Sequence, residues 1–258
     1  MPVEAARHDL VTADPGAWAD LLAGRRDLDG VPHLADWARA GRPLIVRRRV
    51  PGEGAEAVPL GLPLPPADGK RRIGLSLPSG VLSPREAPSL AGTASCAPAA
   101  WQPAIAALLA LGHDHGLTPR PFGALLWQAV TGLTYLGPAS DLDLLWPCPG
   151  SVPASLLDGL ARIDADAPMR LDGEILLPDG GGAQWRELHE APEGGSVLVK
   201  YLDRVAMRSA GEVMSPILIA VASEAKRSKD APQSEGPEPK SPLFPTLPPR
   251  PEVRRRPF

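Results

Sequence analysis

The stretch SDLDLLW, residues 140–146, places Asp141 and Asp143 one residue apart inside a run that otherwise reads as a buried strand. In an extended chain alternate side chains share a face, so the two aspartates point to one side while Leu142 and Leu144 point to the other. Two like charges side by side are unfavourable unless water, hydrogen bonds or cations neutralise them. The segment therefore asks for a sheet with one acidic face, and a metal site is the first chemistry to weigh. On spacing alone, solvated charges that guard an edge strand against aggregation are an equal alternative.

A metal site needs a third ligand, because hard divalent cations bind several oxygens. RLDGEILL, residues 170–177, supplies Asp172 and Glu174, again on one face of a strand and separated from the first pair by one helix. An antiparallel or neighbouring strand would bring them beside Asp141 and Asp143. Asp172, nearer the strand's start, is the expected third carboxylate and Glu174 the reserve. The second D-x-D, at Asp164 and Asp166, is expected to cap or solvate a loop after a helix.

With 258 residues and 43% hydrophobic content, the chain can bury one large core or two small ones. A net charge of -3 gives no whole-protein field that would mark a nucleic-acid or membrane binder, so anion recognition must come from local clusters. The apolar runs AIAALLAL and PILIAVA are too short to span a bilayer, and MPVEAARHDL lacks a signal-peptide core, so a cytoplasmic protein is expected. Cys96 and Cys148 stand apart without histidines at ligand spacing and read as free thiols. The 33 prolines cluster between residues 43 and 103 and again after 230. That distribution predicts short strands joined by rigid turns, then a disordered end.

The pattern predicts an α+β chain in three parts. Residues 1–90 read as a small α+β substrate-binding unit with helices over PGAWADLLAG and VPHLADWARAG. Two strands lead to basic clusters there: Arg47, Arg48 and Arg49 in RPLIVRRRV, and Lys70, Arg71 and Arg72 after a turn at Asp68-Gly69. Residues 78–98 read as a linker. Residues 91–221 read as a catalytic domain with a mixed sheet backed by helices. Its helices lie over WQPAIAALLALG, ALLWQAVT and VPASLLDGLARI, with strands in SDLDLLW, RLDGEILLP, AQWRELHE and SVLVKYL. Residues 222–258 are too proline-rich and too polar to order themselves.

A glycine turn opening a helix, here Gly123-Ala124, then a strand with D-x-D, then a later acidic strand, resembles the polymerase-β-like nucleotidyltransferase arrangement. The blocks RHDL, RPLIVRRR, GLPLPP, KRRI, TGLTYL, SDLDLLW, RLDGEILLPDGGGAQWREL and VLVK, in that order over residues 5–210, resemble the phosphoribosyl-dephospho-coenzyme A transferase family, the holo-acyl-carrier-protein synthases of malonate decarboxylase. That resemblance implies transfer of a prosthetic group from 2'-(5''-triphosphoribosyl)-3'-dephospho-coenzyme A to a serine of the apo acyl carrier protein, with release of pyrophosphate. It implies two-metal chemistry, with two magnesium ions held by Asp141, Asp143 and Asp172. Backbone N–H groups at Gly123 and Ala124 would meet the triphosphate; the superfamily's usual serine is alanine here, which removes a hydroxyl donor but leaves the amides. Arg47, Arg49, Lys70, Arg71, Arg72 and Lys200 are the candidate phosphate contacts, and Trp146 a candidate wall for adenine. Two rivals follow the same residues: a generic nucleotidyltransferase using ATP or another nucleotide, and a non-catalytic carrier-protein adaptor.

Overall fold

The computed structural model describes residues 5–215. Its first half is an antiparallel sheet of β1 (Leu10–Ala13), β2 (Leu44–Val46), β3 (Ala57–Pro63), β4 (Arg72–Pro78) and β5 (Leu82–Arg85), in the order β4-β3-β2-β1-β5. β4 alternates strictly, with Ile73, Leu75 and Leu77 inward and its polar residues outward. Helix α1 (Pro15–Ala23) follows β1 at once. Pro15 occupies its first turn and the Asp14 carboxylate accepts from the Gly16 and Ala17 amides, satisfying donors that the helix itself leaves open.

The second half begins with α2 (Leu90–Thr93) and α3 (Gln102–Asp114), then β6 (Arg120–Pro121), α4 (Ala124–Thr131), β7 (Leu142–Pro147), α5 (Ala154–Asp166) and β8 (Leu171–Leu176). It continues with β9 (Gly182–Gln184), α6 (Trp185–Glu190), β10 (Ser196–Lys200), β11 (Val205–Ser209) and α7 (Ala210–Met214). The sheet runs β11-β10-β9-β8-β7-β6, mixed, with β7 and β8 its parallel pair. Helix α5 is the crossover that a parallel pair requires. The chain is α+β, as its pattern predicts.

Each sheet has its own core, and α4 serves both. Leu142, Leu144, Trp146, Leu171 and Ile175 on one face of the second sheet pack with Ile105 and Leu108 of α3 and Leu156 and Leu160 of α5. Leu125 of α4 joins that cluster, whereas Trp127 of α4 and Tyr135 beyond it pack with Trp18, Trp37, Leu60 and Leu75 of the first. The helix that opens at the Gly123 turn is thereby clamped between the two sheets. Its exit is fixed too: Gly132 takes φ 70°, and Gln128 Oε1 accepts from the Tyr135 and Leu136 amides in the loop that leads to β7.

Several local expectations need correction. Residues 78–98 are not a linker, since β5 pairs along all of β1. VPHLADWARAG forms one short 3-10 turn, Leu34–Asp36, with His33 at φ 66° breaking helical continuity and the Trp37 indole bonded to the Pro43 carbonyl. AQWRELHE is strand only through Gln184. There the Gln184 side chain caps the Glu187 amide and a helix begins, burying Trp185 and Leu188 three positions apart. Asp164 and Asp166 end α5 rather than lying beyond it; Asp164 accepts from the Leu171 amide at 2.8 Å and pairs with Arg186 at 2.6 Å. Trp146 is fully buried behind the sheet and walls no open site. The segment 222–258, expected to be disordered, lies outside the described residues.

Candidate active site

Parallel pairing of β7 with β8 sets Asp143 opposite Asp172 and Leu145 opposite Glu174. Register partners in a parallel pair leave the sheet on the same side, so Asp143, Asp172 and Glu174 share the face opposite the α3/α5 core. Asp141 stands two residues before Asp143, just ahead of the strand. Asp143 feels all of this: burial, then the Asp172 charge, then that of Asp141 push its carboxyl up to about 6, partly offset by Arg72 and Arg170.

The glycine turn lies against the same carboxylate. Phe122 N–H donates to the Asp143 carbonyl at 3.2 Å, and any Cβ on Gly123 would overlap the Asp143 side chain. Glycine is required there by close approach, since φ at Gly123 is -99°. The amide N–H groups that open α4 thus stand beside the acidic face, where a helix start favours anions.

The three aspartates offer hard oxygen donors whose mutual repulsion a cation would relieve, so the set fits a divalent ion such as magnesium in kind. Its spacing is not closed: among the described residues, no three His, Cys, Asp or Glu side chains gather as a ligand group. Asp172 shows why. Its Oδ1 accepts from the Gly173 amide at 2.7 Å and from the Gln184 side chain at 3.2 Å.

Glu174 has a different task. It is only 6% exposed, and Arg7 grips both of its oxygens, with His8 Nε2 at 3.2 Å and Lys200 Nζ at 3.3 Å. Burial would raise its pKa, but the hydrogen bonds from His8 and Arg7 prevail and hold it well below the usual carboxylate range. Burial lowers His8 despite the Glu174 contact, so the ring is neutral near pH 7 and donates through Nε2. Lys200 thus reaches the acidic face, but as a partner of Glu174.

The basic candidates divide. Arg72 is exposed at the start of β4 and its charge acts on Asp143; Lys70 and Arg71 are exposed beside it. Arg47 is already engaged: Glu53 takes it through both guanidinium nitrogens and the Leu60 carbonyl accepts from Nε at 3.0 Å. Arg49 donates to the Gly54 carbonyl. Sequence reasoning passed over three arginines that matter here. Arg7 sits in RHDL, a block that carries the family resemblance without a site role of its own; Arg170 directly precedes the acidic strand; Arg120 lies on β6.

Comparison with known proteins bears on the same residues. Residues 6–88 match the phosphoribosyl-dephospho-CoA transferase MdcG N-terminal domain, and residues 89–211 match the C-terminal domain of the same family. The chain belongs to the phosphoribosyl-dephospho-CoA transferase family. The phosphoribosyl-dephospho-CoA transferase of Bradyrhizobium diazoefficiens is 40% identical over 205 residues, covering 78% of this chain and 88% of that protein. Proteins of the same name from Xanthomonas euvesicatoria and Xanthomonas campestris are 40% identical over 202 residues and 43% over 205, covering 76% and 77% of this chain and 90% and 92% of theirs. No solved structure matches significantly. The chain is therefore a transferase. Among the described residues, no helix is long and apolar enough to cross a membrane.

Proposed function

We propose that the enzyme transfers the phosphoribosyl-dephospho-coenzyme A group from its 5''-triphosphate donor to a serine hydroxyl of the apo acyl carrier protein of malonate decarboxylase, releasing pyrophosphate, in the cytoplasm. The observation that carries this reading is the in-register placement of Asp143 beside Asp172, with the Gly123 turn pressed against Asp143. Phosphoryl transfer depends on positioning and on stabilising charge as it accumulates on phosphate oxygens, and both elements serve that end. The polymerase-β-like reading of this pair belongs to the same proposal.

In this reading Asp141, Asp143 and Asp172 hold magnesium. When bound, magnesium would supply positive charge at the reacting phosphate and lower the pKa of the attacking hydroxyl. The chain's own residues do the rest. Amides at Gly123 and Ala124 would orient the triphosphate from the start of α4, and Asp172 would accept the serine proton. Arg72, with Lys70 and Arg71, binds the donor's triphosphate before and during the reaction. Arg47 and Arg49 contribute only if Glu53 and the Gly54 carbonyl release them. Glu174 takes no ligand role; with Arg7, His8 and Lys200 it fastens the chain's start to the catalytic sheet.

The deciding experiment is mass analysis of the apo carrier protein after incubation with the full chain, magnesium and triphosphoribosyl-dephospho-coenzyme A. The expected result is a mass gain equal to the transferred group, absent with Asp143→Asn. An unmodified carrier protein, or equal modification of a carrier from ATP, would overturn the assignment.

A further inference from the structure

A second feature occupies the acidic face, farther along the same strand. β6 pairs antiparallel with β7, setting Arg120 opposite Leu145, which places Arg120 on the side of Asp143 and Glu174. Its charge reaches His8, which lies at the edge of the carboxylate site. Its Nε is buried and has no hydrogen-bond partner among the described residues. Arg7 and Arg186 share that feature while their terminal nitrogens pair with Glu174 and Asp164; of the three, Arg120 alone has no carboxylate partner among the described residues, which leaves its guanidinium available to an anion.

Arg120 lines a cavity of about 780 Å³ where the two halves of the chain meet. Arg85 and Glu86 are its other charged residues, so the cavity carries a net positive charge. The exposed Thr118 adds a hydroxyl, while Ala129, Val130 and Pro147 give it an apolar side. Pro147 lies four residues along β7 from Asp143, roughly 13 Å at about 3.3 Å per residue. The cavity therefore combines an unsatisfied cation, an apolar flank and a fixed distance from the carboxylates.

We infer that this cavity holds the diphosphate and pantetheine arm of the dephospho-coenzyme A moiety, with Arg120 binding the diphosphate. The inference rests on the proposed function, since it assumes the donor's triphosphate end lies at Asp143. The donor is chemically two-ended. Its triphosphate reacts, while the other end carries a diphosphate followed by an uncharged amide arm, and the cavity offers a guanidinium beside an apolar wall in matching order. Holding the unreactive end gives the enzyme a means to recognise dephospho-coenzyme A apart from nucleotides that have only a triphosphate.

The test uses dephospho-coenzyme A, which lacks the triphosphoribosyl group, as a probe by calorimetry on the full chain, alongside donor kinetics. Arg120→Ala should weaken probe binding about tenfold or more and raise the donor KM similarly, with kcat retained. Arg120→Lys should recover part of the loss. Thr118→Trp, at an exposed rim position, should obstruct probe binding without touching the arginine, and guards against Arg120→Ala failing to fold. Asp143→Asn should bind the probe as the wild type does. A wild-type chain that transfers the group yet does not bind dephospho-coenzyme A, or whose donor KM is unchanged by both Arg120→Ala and Thr118→Trp, would overturn the inference and leave the transferase reading intact. Loss of transfer in the wild type would instead remove the reading beneath it.

Discussion

Asp143 and Asp172 face the same side of the sheet as register partners on two parallel strands, and neither has a basic side chain in contact with its carboxylate among the described residues. The resulting strain lies on Asp143, whose carboxyl is pushed up to about 6 first by burial and then by Asp172 and Asp141. An acid whose folded pKa exceeds its unfolded one favours the folded state while protonated. Its ionisation therefore removes stability as pH rises from about 4 to about 6, and the loss persists above. Magnesium would offset that loss, which links folding to the proposed ligand.

Asp143→Asn should thus abolish transfer and, without magnesium, stabilise the fold at pH 7. The expected gain is about 1–3 kcal/mol by urea unfolding, given about 1.4 kcal/mol for each pKa unit, and it should vanish near pH 3.5. A variant less stable than wild type at pH 7 would assign Asp143 a structural role.

Glu174 should behave in the opposite way. Its carboxylate is buried against Arg7, and both side chains are 8% exposed. Glu174→Gln leaves the Arg7 charge without its counterpart and should cost about 3–5 kcal/mol at pH 7. Because the folded pKa is depressed, the wild type loses this contribution as pH falls through that value, and the two proteins should converge in acid. Asp172→Asn, whose amide oxygen can still accept from Gly173 and Gln184, should lose transfer with little change in stability. Equal destabilisation of the two variants would erase the distinction between anchor and ligand.

That distinction was only half legible in the sequence. Two-residue alternation put Asp172 and Glu174 on one face, and it predicted the acidic face of Asp141 and Asp143 correctly in kind. It carried no information on which carboxylate would be neutralised, because the neutralising Arg7 lies 167 positions away in the chain. Arg47 shows the same limit: a run of arginines shows charge, whereas its pairing with Glu53 depends on a turn that only the folded strand ends define. The helices that bury a regular stripe, α1, α3 and α5, were readable from periodicity. AQWRELHE was not, since its first two residues end β9 and the second of them, Gln184, caps the helix, which leaves the change of period to tertiary packing.

Gly123 tests the contact between the turn and the carboxylate. Its φ of -99° lies outside the left-handed region, and the atoms that a methyl at Gly123 would meet belong to the Asp143 side chain. The added methyl must displace that carboxylate, and transfer should fall at least about a hundredfold, as expected when reacting groups shift by about 1 Å. Circular dichroism and the unfolding midpoint should change little, because the displaced Asp143 side chain lies on the face of the sheet opposite the α3/α5 core. Retained activity in Gly123→Ala would show that the carboxylate need not occupy this position during transfer.

Arg72 and Arg47 separate phosphate binding from structural support. Arg72 is exposed, and its charge acts on Asp143. Arg47 is the principal cause holding Glu53 down to about 2 and ties β2 to β3 through the Leu60 carbonyl. Arg72→Ala should raise the donor KM about tenfold with kcat nearly unchanged, the size expected for losing about 1.4 kcal/mol of charge-assisted hydrogen bonding. Arg47→Ala should instead lower the unfolding midpoint and leave the donor KM within about twofold, since its loss frees Glu53 and loosens the turn after β2. The double variant Arg47→Ala with Glu53→Gln should recover part of that stability, because the unpaired carboxylate is gone. If Arg47→Ala raises the donor KM as much as Arg72→Ala while the midpoint stays fixed, then Arg47 leaves Glu53 to bind phosphate, and the first sheet contributes a second arginine to the site.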